Sequence, residues 1–198
     1  VAGVIAGLGV GGLAFALAAQ DTVANWFGAL MIYTDRPFMV GDRIQTSSLH
    51  GVVEDIGLRS TKVRTAAETV VSVPNKLLAN DVIENFSRMP KRVVSFKLGV
   101  TYATTPAMLE ETVARIVDVL RATPGVDQAD IMVRFVDFDE SSLGIMVRYF
   151  TVSTEWAAHL AVREAVNLDI LRQLEAIGVQ CAFPSRSVYT EQPDPPAA

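Results

Sequence analysis

The chain has 198 residues, half of them hydrophobic, and a formal net charge of −5 at neutral pH. That length admits one or two domains, and the acidic balance argues against nucleic acid as a partner, because phosphate binding depends on a surplus of Lys and Arg. A single cysteine, Cys181, excludes an intrachain disulfide and favours a reducing compartment.

Charge is distributed unevenly along the chain. Residues 1–35 contain two acidic and no basic residues, whereas residues 36–92 contain nine Lys or Arg and six acidic residues. Residues 93–198 contain eight basic and fourteen acidic residues. A basic segment directly after an apolar one is the arrangement that the positive-inside rule expects for a cytoplasmic C-terminus.

The first apolar segment, residues 1–19, contains no charged, amide or hydroxyl side chain. A helix of about 20 apolar residues crosses a bilayer core of about 30 Å, whereas the helix of a soluble domain carries a polar stripe. The sequence therefore predicts a transmembrane helix here. The apolar pattern resumes after Gln20 and Asp21 and continues to Ile32.

Small residues dominate this predicted helix, and Gly3, Gly7 and Gly11 follow the spacing that lets membrane helices approach closely. Leu13 and Leu17 lie one turn apart on one face. If several copies surround an axis with that face inward, the leucines form two apolar rings about 6 Å apart, and such a constriction blocks ions by dewetting. The alternative is that both leucines face lipid or a neighbouring helix.

The glycines also admit a different interpretation. Gly7, Gly9 and Gly12 satisfy the pattern G-x-G-x-x-G, and Asp35 follows at the distance of a ribose-binding carboxylate. A Rossmann enzyme that binds NAD(P) or FAD, with a second strand over Ala29–Tyr33, is therefore an alternative. The short segment before the glycines and the absence of a polar face after them weigh against it.

Gln20 and Asp21 interrupt the apolar pattern. Asp is a good N-cap residue, so the sequence predicts a kink here, with Thr22–Tyr33 continuing as an amphipathic helix. Asp21, repeated around a ring, would form an acidic collar that favours cations; the alternative is a solvated cap with no effect on selectivity. Asn25 is expected to form hydrogen bonds locally or between subunits.

Short strands are predicted after Arg36-Pro37, because the residue before proline disfavours helix. The predicted strands are Asp42–Thr46, a long bent strand of Val52–Asp55 and Leu58–Thr65, then Thr69–Val73 and Ile83–Ser87. The pattern fits a small barrel. Lys62, Arg64 and Lys76 could serve RNA binding, but no aromatic residues interleave with them, so a solvated face or subunit contacts are favoured.

An α/β domain is predicted next. Its elements are a strand over Arg92–Tyr102, a helix from Pro106 to Pro124, a hairpin of Ile131–Phe138 and Leu143–Val152, a helix over Glu155–Ile177 and a strand over Val179–Phe183. The order βαββαβ suggests a ferredoxin-like α+β layer. A short final strand over Ser185–Thr190 and a disordered, proline-rich tail are predicted to follow.

Residues with catalytic or metal-binding chemistry do not form a motif. His50 falls in a predicted turn and His159 on a predicted helix, and neither has a second histidine at ligand spacing. No G-x-S-x-G or P-loop lysine motif is present. We therefore predict no enzymatic activity, no metal and no cofactor.

Several segments, taken in order, resemble one family. The matching residues are Gly9–Gln20, Asn25, Arg36-Pro37-Phe38, Gly41, Val73-Pro74-Asn75 and Asn85-Phe86-Ser87-Arg88. They are similar to the pore helix and the following strands of the small-conductance mechanosensitive (MscS-like) channel family, and they run in order from the start of the chain to the end of the predicted strands. The family usually has a glycine after the glutamine, where this chain has Asp21.

The resemblance implies a homoheptamer in the bacterial cytoplasmic (inner) membrane. Rings of Leu13 and Leu17 would seal its pore, and membrane tension would open it to release ions and small solutes during hypo-osmotic shock. Close packing between neighbouring pore helices would use small residues at Gly9, Gly12, Ala14 and Ala16. A non-conducting membrane-anchored scaffold is the alternative. Expected partners are membrane lipid, further copies of the chain and permeating solutes, but not nucleic acid.

The resemblance also implies a domain organisation. A pore-lining helix over residues 1–35, with a kink near 20–21, would be followed by an Sm-like β barrel over 36–91. Residues 92–184 would form a cytoplasmic vestibule domain, and residues 185–198 a short strand and tail. The family has at least two earlier membrane helices, so we expect a longer, multi-pass protein.

Overall fold

A computed structural model describes the backbone of residues 2–185 and the side chains from residue 9 onward. The chain divides into two compact units, Val1–Met89 and Pro90–Ala198. The predicted strand over Ser185–Thr190 and the predicted tail fall almost entirely on residues 186–198, which lie outside the described residues.

The first unit combines one long helix with a five-stranded antiparallel sheet. Its elements are α1 (Ala2–Asp35), β1 (Arg43–Gln45), β2 (His50–Ile56), β3 (Ser60–Thr65), β4 (Val70–Pro74), α2 (Asn75–Asn80), β5 (Glu84–Asn85) and a 3₁₀ turn (Phe86–Arg88). The strands lie in the order β4-β3-β2-β1-β5. The core of this unit is formed by Ile32, Phe38, Ile44, Val53, Val63 and Leu78.

Helix α1 is one continuous element of 34 residues. It passes through Gln20 and Asp21, so Asp21 does not cap a new helix. The kink predicted near these residues stays a prediction. The glycine pattern and residues 29–33 both lie inside α1, and neither strand of a Rossmann unit is present there. The dinucleotide-binding interpretation of Gly7, Gly9 and Gly12 is therefore wrong.

Within the part of the chain that the structure describes, no helix combines the length and hydropathy needed to cross a membrane. The span predicted over residues 1–19 falls partly on residues whose side chains lie outside the description. That span stays a prediction.

Two details of the sheet differ from the sequence prediction. The long bent strand is in fact the hairpin of β2 and β3, closed by a turn in which the Gly57 amide donates to the Ser60 carbonyl at 3.0 Å. Helix α2 was not predicted, because six residues carry too little periodicity to indicate a helix. Leu78 anchors α2 in the core.

The second unit packs two helices on a three-stranded antiparallel sheet. Its elements are β6 (Arg92–Val100), α3 (Pro106–Ala122), β7 (Met132–Phe138), β8 (Leu143–Thr151) and α4 (Trp156–Ile177). The strands lie in the order β6-β8-β7. Each matches a predicted element to within a few residues. The last predicted strand, Val179–Phe183, is reduced to one antiparallel bridge between Val100 and Cys181.

The helices of the second unit begin and end where local chemistry dictates. The Thr105 hydroxyl accepts from the Met108 amide at the start of α3, and the Glu155 carboxylate accepts from the Ala157 and Ala158 amides at the start of α4. Gly178 ends α4 with φ 72°, a conformation that glycine adopts without steric cost.

His159 is a buried member of α4. Its Nδ1 lies 2.9 Å from the Thr151 hydroxyl, and its ring stacks on Trp156. Burial lowers the pKa of His159 below its ordinary 6.5, and the charges of Arg92 and Arg163 lower it further. The imidazole is therefore a neutral structural group near pH 7.

This environment predicts a pH-dependent stability. Below pH 6.5 the unfolded chain binds a proton at His159 that the folded chain does not, so the free energy of unfolding falls as the pH decreases towards the lowered folded-state pKa. Unfolding measured from about pH 7.5 to about pH 5.5 should show this slope, and His159→Gln should reduce it. The matched variant is His50→Gln, at an exposed histidine on β2; an equal reduction in slope for both variants would contradict the assignment.

Candidate pore helix and its junction with the β domain

One face of α1 docks against the start of α2. Asp21, Asn25 and Gly28 are spaced at i, i+4 and i+7, so they line one side of the helix. All three contact Asn75 or Lys76. We call this contact the helix junction.

Gly28 allows the two backbones to meet. A Cβ atom built at Gly28 would lie 2.7 Å from the carbonyl carbon of Asn75 and 2.8 Å from the amide nitrogen of Lys76. Both neighbours are backbone atoms, which cannot turn aside as a flexible side chain could. Any larger residue at position 28 would therefore separate α1 from α2.

Asn25 is buried and bridges the two helices. Its Nδ2 donates to the Asp21 carbonyl at 2.8 Å, and its Oδ1 accepts from the Lys76 amide at 3.0 Å. The local bond confirms the sequence expectation for Asn25, whereas the contact 51 positions away could not be seen in the sequence. Beside it, the Asp21 carboxylate forms an ion pair with the Lys76 ammonium at 3.0 Å.

Asn75 connects the junction to the sheet. Its side chain is fully buried, and its Nδ2 donates to the Gly57 carbonyl at 2.7 Å while its Oδ1 accepts from the Thr61 hydroxyl at 2.8 Å. Its own amide donates to the Arg59 carbonyl at 3.0 Å. One residue thus links α2 to the β2–β3 turn and to β3.

A second set of contacts fixes the end of α1. Arg36 has φ 48°, where the chain turns out of the helix. The Arg88 guanidinium donates to the Arg36 carbonyl at 2.7 Å. Asn85 Nδ2 donates to the Pro37 carbonyl at 3.1 Å and to the Asp42 carboxylate at 2.8 Å. The segment after the helix is therefore held on the sheet edge at β5.

Residues 9–20 of α1, the N-terminal part whose side chains the structure describes, make no such contacts with the other described residues. Leu13 and Leu17 are 63% and 64% exposed, and Gly9 and Gly12 face open space. Ala14, Ala16 and Gln20 are also exposed. Of the site residues that the sequence predicts, only Asp21 belongs to the helix junction. The predicted gate and helix-packing residues do not meet in one site within a single chain.

The three cations considered for RNA binding are all in ion pairs. Lys62 contacts Asp55 at 3.2 Å, Arg64 contacts Glu54 at 2.5 Å, and Lys76 contacts Asp21. The hydrogen bond from Glu54 raises the pKa of Arg64 above its ordinary value. An acidic partner therefore offsets the charge of each of the three cations.

The described residues contain no group of three or more His, Cys, Asp or Glu side chains arranged to hold a metal ion. His50 lies at the start of β2 with its ring 5.6 Å from Phe86, and His159 packs inside the second unit. Each histidine is therefore explained by its packing against neighbouring side chains.

Comparison with known families decides the relationship. Residues 21–88 match the model for the β-domain of mechanosensitive ion channels. Residues 94–180 match the model for the MscS C-terminal domain. The chain belongs to the MscS-like family. The resemblance seen in the sequence is thereby confirmed.

Individual MscS relatives extend the match to nearly the whole chain. The MscS family protein YhdY of Bacillus subtilis is 44% identical over 97% of this chain and 52% of that protein. The low conductance mechanosensitive channel YnaI of Escherichia coli is 37% identical over 95% of this chain and 55% of that protein. The chain thus spans about half the length of these relatives.

A solved MscS structure has the same fold. The closed-state crystal structure of Helicobacter pylori MscS superimposes with a TM-score of 0.83 at 26% identity, covering 96% of this chain and 74% of that one. The helix, the five-stranded sheet and the α/β unit of the present chain are thus those of an MscS protein.

The helix junction predicts an asymmetry between two asparagines of α2. Asn75→Ala leaves the buried Thr61 hydroxyl and the partly buried Gly57 carbonyl without their partner, which should cost about 1–3 kcal/mol of unfolding free energy. Asn80→Ala is the matched control, because Asn80 also donates one bond, to the Lys76 carbonyl at 2.7 Å, but is exposed. Denaturant unfolding compares the variants, and equal losses would contradict the role of Asn75.

Proposed function

We propose that this protein is a subunit of a mechanosensitive channel, opened by membrane tension to release ions and small solutes during hypo-osmotic shock. The observation that carries the proposal is the two-part character of α1. Its C-terminal half is fixed to the sheet through the helix junction, while residues 9–18 present exposed leucines and small residues. The name of the Escherichia coli relative, a low conductance mechanosensitive channel, supports the same function.

The exposed apolar residues of α1 indicate that this helix packs against other copies of the chain. Large contiguous apolar surfaces mark sites of interaction with protein or membrane, and glycines and alanines let membrane helices pack closely. We infer that Gly9, Gly12, Ala14 and Ala16 pack against the next copy in a homoheptamer. Leu13 and Leu17 then face the axis and form two rings that block ions by dewetting.

The domain organisation that we propose has three parts and a tail. Residues 1–35 form the pore helix, with a kink near Gln20 and Asp21, and residues 36–91 form an Sm-like β domain. Residues 92–184 form a ferredoxin-like vestibule domain, for which the strand order β6-β8-β7 and the bridge at Cys181 are the support. Residues 185–198 form the final strand and tail.

Opening follows from the area of the assembly in the membrane plane. Lipid tension favours the conformation with the larger area, and the opposing cost is the separation of close-packed helices and the wetting of the leucine rings. In this proposal the full-length protein lies in the bacterial inner membrane and crosses it several times. The β domain and the vestibule domain, which follow α1, lie in the cytoplasm. It acts on permeating solutes without catalysis.

The leucine rings predict a specific loss of closure. Leu13→Ser or Leu17→Ser places hydroxyl groups in the constriction, so water and ions should pass at lower tension or at rest. Patch recording of the full-length protein in liposomes should show raised resting conductance or a lower tension threshold.

Leu30→Ser is the matched control. Leu30 lies on the same helix and is 58% exposed, but helix geometry places it about 100° around the axis from Leu13 and about 140° from Leu17. Unchanged closure in both gate variants, or an equal leak in Leu30→Ser, would argue against the gate. A parent protein that never conducts would favour the membrane-anchored scaffold instead.

A further inference from the structure

The first charged side chain in the sequence is paired across the helix junction. Residues 1–20 carry no charge, and Asp21 follows them. Its carboxylate lies 3.0 Å from the ammonium of Lys76, which belongs to α2 and not to α1. Two neighbouring contacts keep α2 in place, since the Lys76 amide donates to Asn25 and the start of α2 abuts Gly28.

Helix geometry relates this ion pair to the proposed pore. Each step of four residues advances an α-helix by about 6 Å and rotates it by about 40°. Asp21 therefore lies one turn beyond Leu17, at the edge of the face that Leu13 and Leu17 share. In a ring closed by the leucines, the carboxylate would stand at the mouth of the constriction on the side towards the β domain.

We propose that Lys76 is a selectivity-determining residue, which neutralises Asp21 at the cytoplasmic mouth of the pore. The inference rests on the proposed function. A ring of unpaired carboxylates would concentrate cations at the mouth, which is one of the two hypotheses that the sequence admits for Asp21. With an ammonium group at 3.0 Å, each subunit contributes a neutral pair there. The mouth therefore does not act as an acidic collar.

The same ion pair contributes little to folding. Asp21 and Lys76 have side chains that are 83% and 45% exposed, and ion pairs at such exposure are largely screened by water and salt. Changing either residue should therefore alter the charge of the mouth without unfolding the chain. Because the Debye length is about 8 Å at physiological ionic strength, any effect on permeation should weaken as salt is raised.

The test measures reversal potentials of the full-length channel in a KCl gradient. Lys76→Gln exposes the carboxylate and should raise the ratio of K⁺ to Cl⁻ permeability by on the order of fivefold, the Boltzmann factor for one unpaired charge acting at about 4 Å in water. Asp21→Asn exposes the ammonium and should shift the ratio towards Cl⁻. The double variant restores neutrality and should return the ratio to that of the parent.

Lys62→Gln is the matched control, because it removes the same charge from an exposed ion pair between β2 and β3. It should leave the permeability ratio unchanged. The proposal is overturned if Lys76→Gln has no effect, if the double variant does not return to the parent, or if Lys62→Gln shifts the ratio as far. Failure of the parent to conduct under tension in the same recordings would instead overturn the proposed function.

Discussion

The first unit depends on one buried amide. Asn75 satisfies a buried hydroxyl of β3 and a partly buried carbonyl of the β2–β3 turn with a single, fully buried side chain. A buried polar group that loses its partner costs more than the bond itself contributed, so α2 is confined to one position on the sheet. Because α2 is the surface on which α1 rests, the position of the long helix follows from the same amide.

Gly28 converts that fixed position into a close contact between helices. Where two backbones meet directly, no side chain can adjust to fill a gap, so α1 either packs closely against α2 or separates from it. Asn25 then fixes the position of α1 on α2, because its Oδ1 accepts a hydrogen bond from the Lys76 amide. A helix held at one end in this way can pass a displacement of its other end to the β domain, which is what the proposed channel requires of it.

The sequence predicted regular elements well and long-range contacts poorly. Helices α3 and α4 and strands β6 to β8 have clear periodicity and capping residues, and they formed where expected. The hairpin of β2 and β3 was missed because Gly57 was interpreted as a bend within a strand, although its amide closes a turn onto Ser60. Nothing local in Asn25 or Asn75 reveals partners 51 or 18 positions away. The pore residues could be predicted only from the family resemblance, because the contacts proposed for them are with neighbouring copies of the chain.

The most direct test of this account is a structure of the full-length closed assembly in lipid, determined by electron cryomicroscopy. The account predicts a ring of identical α1 helices with Leu13 and Leu17 nearest the axis, and with Gly28 of each copy resting on the backbone of Asn75 in the same chain. A monomeric protein, an axis lined by a different segment, or leucines that point outward into acyl chains would contradict it.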